Sequence, residues 1–188
     1  MEIVDYRECR KDISPELVDI FRECMEYIAQ KIRKNPSLGI CKTPEGREIR
    51  TTPDMFLRVA CTAGSRGRSY ASNFTKIPGK GKVFVALNGD GKVSGFGKVI
   101  LNGEEALFSD FYVRPEYHGR GVARRIYEEM KEYAMQNNCS VIVGDALAFR
   151  RTLELYEIKG FEITSRVTEH KVGFKSYFPT IRIEKSLR

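Results

Sequence analysis

The stretch from Phe108 to Tyr133, FSDFYVRPEYHGRGVARRIYEEMKEY, constrains the fold more than any other. Aromatic and β-branched residues without a helical period predict a strand over 108–113. Arg114-Pro115 ends it, because proline lacks an N–H donor and pushes its predecessor to extended geometry. His118-Gly119-Arg120-Gly121-Val122-Ala123 then turns the chain into a helix, where Val122, Ile126, Met130 and Ala134 share one face. Strand, glycine-bearing loop and helix N-terminus in that order make a cradle for phosphate. Glycines let the backbone come close, and the first free N–H groups of the helix point at the anion. Arg120, Arg124 and Arg125 crowd that N-terminus, where the helix dipole disfavours cations by roughly 0.3–1 kcal/mol each. A multiply charged phosphate ligand removes the conflict.

Two common phosphate motifs are excluded. A P-loop needs Gly-Lys-Ser/Thr after its first glycine, and none is present. A dinucleotide fingerprint needs a third glycine where Arg124 stands. The stretch instead resembles motif A of the GCN5-related N-acetyltransferases (GNAT), Gln/Arg-x-x-Gly-x-Gly/Ala. His118, Gly121 and Ala123 fill that pattern, with His118 replacing the usual Gln or Arg. Further on, Leu155-Tyr156-Glu157-Ile158-Lys159-Gly160-Phe161-Glu162 resembles motif B of the same family, commonly Leu-Tyr-Glu-Lys-x-Gly-Phe-Glu.

The resemblance implies an acyltransferase fold of the α/β (α+β) class, with a mixed, mostly antiparallel sheet of about seven strands and about four flanking helices. It implies acetyl-CoA as cofactor, lying where the cradle strand splays from its neighbour and pairing its pantetheine arm with exposed backbone as an added strand would. By position, Phe111 and Val113 would offer that backbone. His118, Gly119, Arg120, Gly121, Val122, Ala123 and Arg124 would hold the pyrophosphate. Tyr156 falls on the motif B tyrosine, which in many relatives donates a proton to the leaving thiolate; packing on a helix face with Phe149 and Leu153 is its structural alternative. Some relatives place a glutamate base where this chain has Leu107, which leaves Asp110 as the nearest carboxylate, with Glu105 and Asp145 as alternatives. Phe149 occupies the place of an asparagine that usually contacts pantetheine. The implied reaction is direct attack of a primary amine, on a small molecule or a protein, on the thioester.

Charge is unevenly spread. Residues 31–82 hold twelve Lys/Arg and three acidic residues, a net of +9 against +7 for the chain, so the remainder carries −2. This segment is a candidate acceptor platform, for an acidic protein or for a nucleic acid such as tRNA with Tyr70 and Phe74 interleaved, or a solvated surface. A binding module that keeps the scaffold without catalysis is a further alternative. Five cysteines without Cys-x-x-Cys spacing suit reduced thiols, and no metal site is expected. No apolar run approaches the ~18 residues of a membrane span, and no secretory signal is evident. A cytoplasmic, monomeric or homodimeric protein with one domain over 1–188 is expected.

In chain order, the pattern predicts a weak strand near the N-terminus and a helix over 15–33 with Ser14 as N-cap and Pro15 at its first position. It reads 35–52 as loop, predicts a short helix from Pro53 through Ala63, and assigns nothing to 64–69. Strands follow at 82–87 and 93–101 around Asn88-Gly89-Asp90-Gly91, then 108–113, the cradle helix, a buried strand at 140–144, and a helix over 149–159 closed by Gly160. Strands at 161–167 and 174–184 end the chain.

Overall fold

The computed structural model describes residues 1–9, 11–172 and 176–187. Strand β1 (Glu2–Asp5) leads to helix α1 (Ser14–Lys34), a short hairpin of β2 (Ile40–Lys42) and β3 (Glu48–Arg50), and helix α2 (Pro53–Thr75). Then come β4 (Lys80–Leu87), β5 (Val93–Asn102), β6 (Glu105–Val113), α3 (Val122–Gln136), β7 (Val141–Leu147), α4 (Arg150–Ile158), β8 (Glu162–Val172) and β9 (Ser176–Ser186). Seven strands form one sheet in the order β1-β4-β5-β6-β7-β9-β8, and every pairing is antiparallel except β6–β7. The expected mixed, mostly antiparallel architecture with four helices is the one observed.

Strand alternation explains why helices cover both faces. On β4, Val83 and Val85 join the core under α1 and α2, while Phe84 and Ala86 join the core under α3. α1 buries Leu17, Ile20, Phe21, Cys24, Met25, Ile28 and Ile32 along one stripe. α3 buries the four residues expected of it, Val122, Ile126, Met130 and Ala134. A third cluster seats Leu153 of α4 on Ile142 of β7 and on Ile181 and Ile183 of β9.

Several expectations need correction. Ser14 is the first residue of α1 and not its cap; Ile13 takes the cap position, and the Ser14 hydroxyl hydrogen-bonds the Tyr6 hydroxyl at 2.7 Å. The segment read as loop contains the β2–β3 hairpin, whose Cys41 and Ile49 are buried in the third cluster. α2 continues well past Ala63, with Gly67 (φ 44°, ψ −120°) as a non-helical kink inside it. Phe74, one of the two aromatics considered for base stacking, is buried against Phe21 and Phe96, and Tyr70 is half-buried beside it. That region therefore offers no exposed Phe74 face for nucleic-acid stacking. The expected start of the last strand at Phe174 lies outside the described residues.

Candidate functional site

The site begins with a defect in β6. Phe96 pairs with Tyr112 and Lys98 with Ser109, so Gly97 alone faces Asp110 and Phe111. This is a β-bulge, and Asp110 takes a left-handed conformation in it (φ 50°). Gly97 is required there, since a Cβ would lie 2.5 Å from Met130 Sδ and 2.9 Å from the Phe111 ring. A bulge bends its strand. Correspondingly, the parallel β6–β7 ladder runs only from Glu105–Val141 to Phe108–Gly144 and then opens, although both strands continue.

Two cavities of about 280 Å3 each meet at this opening. The first lies between α1 (Cys24, Tyr27), the opened half of β6, and α4 (Arg151, Tyr156). The second lies under α1 and α2, lined by Phe21, Tyr70 and Phe74 among others. Ser109, Asp110, Tyr112, Asp145 and Leu147 line both, so they form a shared wall at the splay point. The Ser109 hydroxyl is buried with no hydrogen-bond partner among the described residues.

At the far end of the first cavity, a third one is lined by Phe111, Val113, Tyr117, His118, Gly119 and Gly121, with Val122 and Ala123. Gly121 caps α3 in a left-handed conformation (φ 80°), and no side chain caps the helix. A Cβ on Gly119 or Gly121 would meet nothing within 4 Å, so the backbone here is open to a ligand. The N–H groups of Val122, Ala123 and Arg124 begin the helix, where no intrahelical acceptor exists. Arg124 is exposed, Arg120 stacks over the Tyr117 ring at 5.6 Å, and Arg125 turns away to donate to the Met1 carbonyl at 3.2 Å. An open left-handed glycine before uncapped N–H groups fits a pyrophosphate.

The expected residues are thus brought together in part. Phe111 and Val113 lie on the opened half of β6, but the Val113 carbonyl is already engaged. Cys24 Sγ donates to it at 3.1 Å, and His118 Nε2 lies 2.9 Å away. His118 also meets the Tyr27 ring edge-on at 5.2 Å. A ligand pairing with Val113 has to displace the imidazole.

Tyr156 lines the first cavity, packed against Phe161 at 5.2 Å. Burial, with a smaller contribution from Tyr127, pushes its hydroxyl up to about 12, so it stays protonated at neutral pH. Phe149, in the asparagine position, is buried and lines the same cavity. Asp110 sits on the shared wall in an ion pair with Lys98 Nζ at 2.5 Å, and Lys98 also donates to the Asn73 carbonyl at 2.7 Å. Burial raises the Asp110 carboxyl above its usual range, while the charge and hydrogen bond of Lys98 pull it back only in part. Glu105 stands at the paired end of β6, 3.9 Å from Arg182, and lines none of the three cavities. Lys98, Ser109 and the two-cavity role of Asp145 were not singled out by sequence. A lone lysine inside the otherwise apolar and glycine-rich VSGFGKVI was the one available signal.

Comparison with known proteins agrees with this geometry. Residues 79–163 match the model of the acetyltransferase (GNAT) domain. Over 59 residues the chain is 32% identical to a thialysine N-epsilon-acetyltransferase of Bos taurus, covering 31% of this chain and 35% of that enzyme. The matching segment therefore spans about a third of that relative. A GCN5-related N-acetyltransferase from Rhodopseudomonas palustris superposes with a TM-score of 0.66 at 16% identity, over 99% of this chain and 95% of that one. An aminoglycoside 6'-N-acetyltransferase in complex with coenzyme A gives 0.61 at 13% identity, over 100% and 98%. At such identities the likeness is one of fold. Residues 79–163 thus match the GNAT acetyltransferase domain, and the described chain shares the fold of these solved acetyltransferases. Acetyl-CoA is the donor this family uses.

Proposed function

We propose that the chain acts as one unit, an N-acetyltransferase that moves an acetyl group from acetyl-CoA to a primary amine in a ternary complex. The observation that carries this reading is the meeting of two cavities at an opened β6–β7 pair, one of them sharing Phe111, Val113 and His118 with a third cavity at an uncapped helix N-terminus. When bound, acetyl-CoA supplies a thioester; transfer forms an N–C bond, breaks a C–S bond, and requires an ammonium acceptor to lose two protons, one to a base before attack and one after it, while one proton reaches sulfur.

The chain's own residues divide that work. The N–H groups of Val122, Ala123 and Arg124, with Gly119 and Gly121 beside them, bind the pyrophosphate, and Arg120 and Arg124 add charge. The free backbone of β6 around Phe111 and Val113 orients the pantetheine once His118 swings aside. An amine with a solution pKa of about 10.4 arrives protonated at neutral pH and must lose a proton before it attacks. Asp110 Oδ is the acceptor for it: burial has moved its carboxyl towards neutrality, which suits a general base. After Asp110 is protonated, Lys98 still has the Asn73 carbonyl. Tyr156 holds a proton at its hydroxyl for a leaving thiolate whose thiol pKa is about 8.5 by analogy with cysteine.

The test is incubation with acetyl-CoA and a mixed set of primary amines, read by mass spectrometry. An amine heavier by one acetyl group, formed only with folded protein, is expected. No acetylated product from any primary amine, in protein that binds acetyl-CoA, contradicts the reading.

A further inference from the structure

The second cavity has walls that are mostly apolar and aromatic, with Asn73, Ser109 and Thr180 as neutral polar lining. Phe21, Met25, Val59 and Phe74 are buried, and the Phe21, Tyr70 and Phe74 ring centroids lie 5.3 to 5.7 Å apart. Among the described residues no lysine or arginine lines it, in a chain with a net charge of +7. Its charged groups are the two carboxylates of the shared wall, and they differ. Asp110 is half-buried and paired with Lys98. Asp145 is exposed, and its carboxylate has no ion pair or hydrogen bond among the described residues. Its partner across the sheet, Arg182, turns to Glu184 at 3.4 Å and Glu105 at 3.9 Å.

Resting on the acetyltransferase reading, we propose that the acceptor is a compact primary monoamine with an aromatic or branched apolar body and no carboxylate, its ammonium drawn in by Asp145. A cation beside an unpaired carboxylate at the mouth of a small cavity is attracted there, and an aromatic wall tolerates it. The apolar body then fills the space between α1 and α2. A carboxylate on the acceptor, as in a free amino acid, meets the Asp145 carboxylate and no lysine or arginine among the described lining residues. A second ammonium, as in a diamine, is stripped of water against Phe21 and Val59. Asp145 recruits and Asp110 accepts the proton, so the two residues separate binding from chemistry.

Thiol release at saturating acetyl-CoA measures this with phenethylamine, phenylalanine, cadaverine and a lysine peptide as acceptors, alongside calorimetric binding of acetyl-CoA. Phenethylamine should exceed each of the others at least tenfold in kcat/KM. Asp145→Asn should raise its KM about tenfold with little change in kcat or in acetyl-CoA affinity, whereas Asp110→Asn should lower kcat. Equal or better use of phenylalanine, cadaverine or the peptide overturns the assignment, as does an unchanged KM in Asp145→Asn or a panel with no turnover at all. Those outcomes with normal acetyl-CoA binding leave the donor site standing. Failure of folded protein to bind acetyl-CoA removes the donor site and this inference together.

Discussion

Gly121 is the residue on which the cradle depends, because its φ of 80° suits glycine and its Cα faces open space. A glutamate there adds roughly 1–2 kcal/mol of backbone strain but meets no atom within 4 Å, so the fold should survive. Its negative charge would stand where a pyrophosphate must approach. Gly121→Glu should therefore lose measurable acetyl-CoA binding by calorimetry while keeping a cooperative thermal transition. Unchanged affinity in the folded variant removes the cradle from the account. Tyr156 is a subtler case, since it is both packed and chemically placed. Tyr156→Phe keeps the ring against Phe161 and deletes the donor, so kcat should fall by about 10²-fold or more with acetyl-CoA affinity nearly unchanged. Normal turnover with lost stability assigns the tyrosine to packing alone. Motif spacing made both residues legible. Asp110 was legible only as a nearby carboxylate, because neither its left-handed backbone nor its buried partner Lys98 leaves a local mark in sequence.

Elements were read well where one period dominated. α1 and α3 each carry an uninterrupted apolar stripe, and both appear within a residue or so of the expected bounds. α2 was cut short because Gly64 and Gly67 look like breakers, yet its flanking turns pack on α1 through Val59, Ala63, Ala71 and Phe74. The β2–β3 strands are three residues each, too short for alternation to register. At α4, Arg150 and Arg151 both oppose the helix dipole, but only Arg151 lines the first cavity. Arg151→Ala should weaken acetyl-CoA binding about ten- to hundredfold, the loss of one charge-assisted contact of roughly 1.5–3 kcal/mol, whereas Arg150→Ala should not. Comparison with 3'-dephospho-acetyl-CoA shows whether the 3'-phosphate is the partner: if Arg151→Ala weakens both forms equally, it is not. β1 is tied down by Asp5, a buried carboxylate. Burial pulls its pKa up, but the hydrogen bonds from Arg7 and the charges of Arg7 and Lys82 outweigh this and hold it below 3.8. A depressed folded pKa contributes stability above the unfolded value and loses it as pH falls through the folded one. Asp5→Asn should therefore lower the melting temperature at pH 7, and the gap should close in acid well below pH 3.8. A gap independent of pH excludes the ion pair as its cause.

At the scale of the whole molecule, the sheet supplies what no single segment contains. The shared wall joins Ser109, Asp110 and Tyr112 of β6 to Asp145 and Leu147 of β7, and the cavities on either side draw on α1, α2 and α4. Sequence revealed the cradle because it is local, from strand to helix N-terminus. It left the second cavity dark because Phe21, Val59, Tyr70 and Leu107 meet only after folding. It also directed attention to the basic segment, whereas the second cavity is apolar and acidic. The central claim is that acetyl-CoA lies along the opened edge of β6 with its pyrophosphate on the start of α3. Amide hydrogen exchange with and without acetyl-CoA measures this most directly. Slower exchange at 109–113 and 119–124, and absent in Gly121→Glu, is the predicted result; unchanged exchange in these two segments at saturating acetyl-CoA contradicts it.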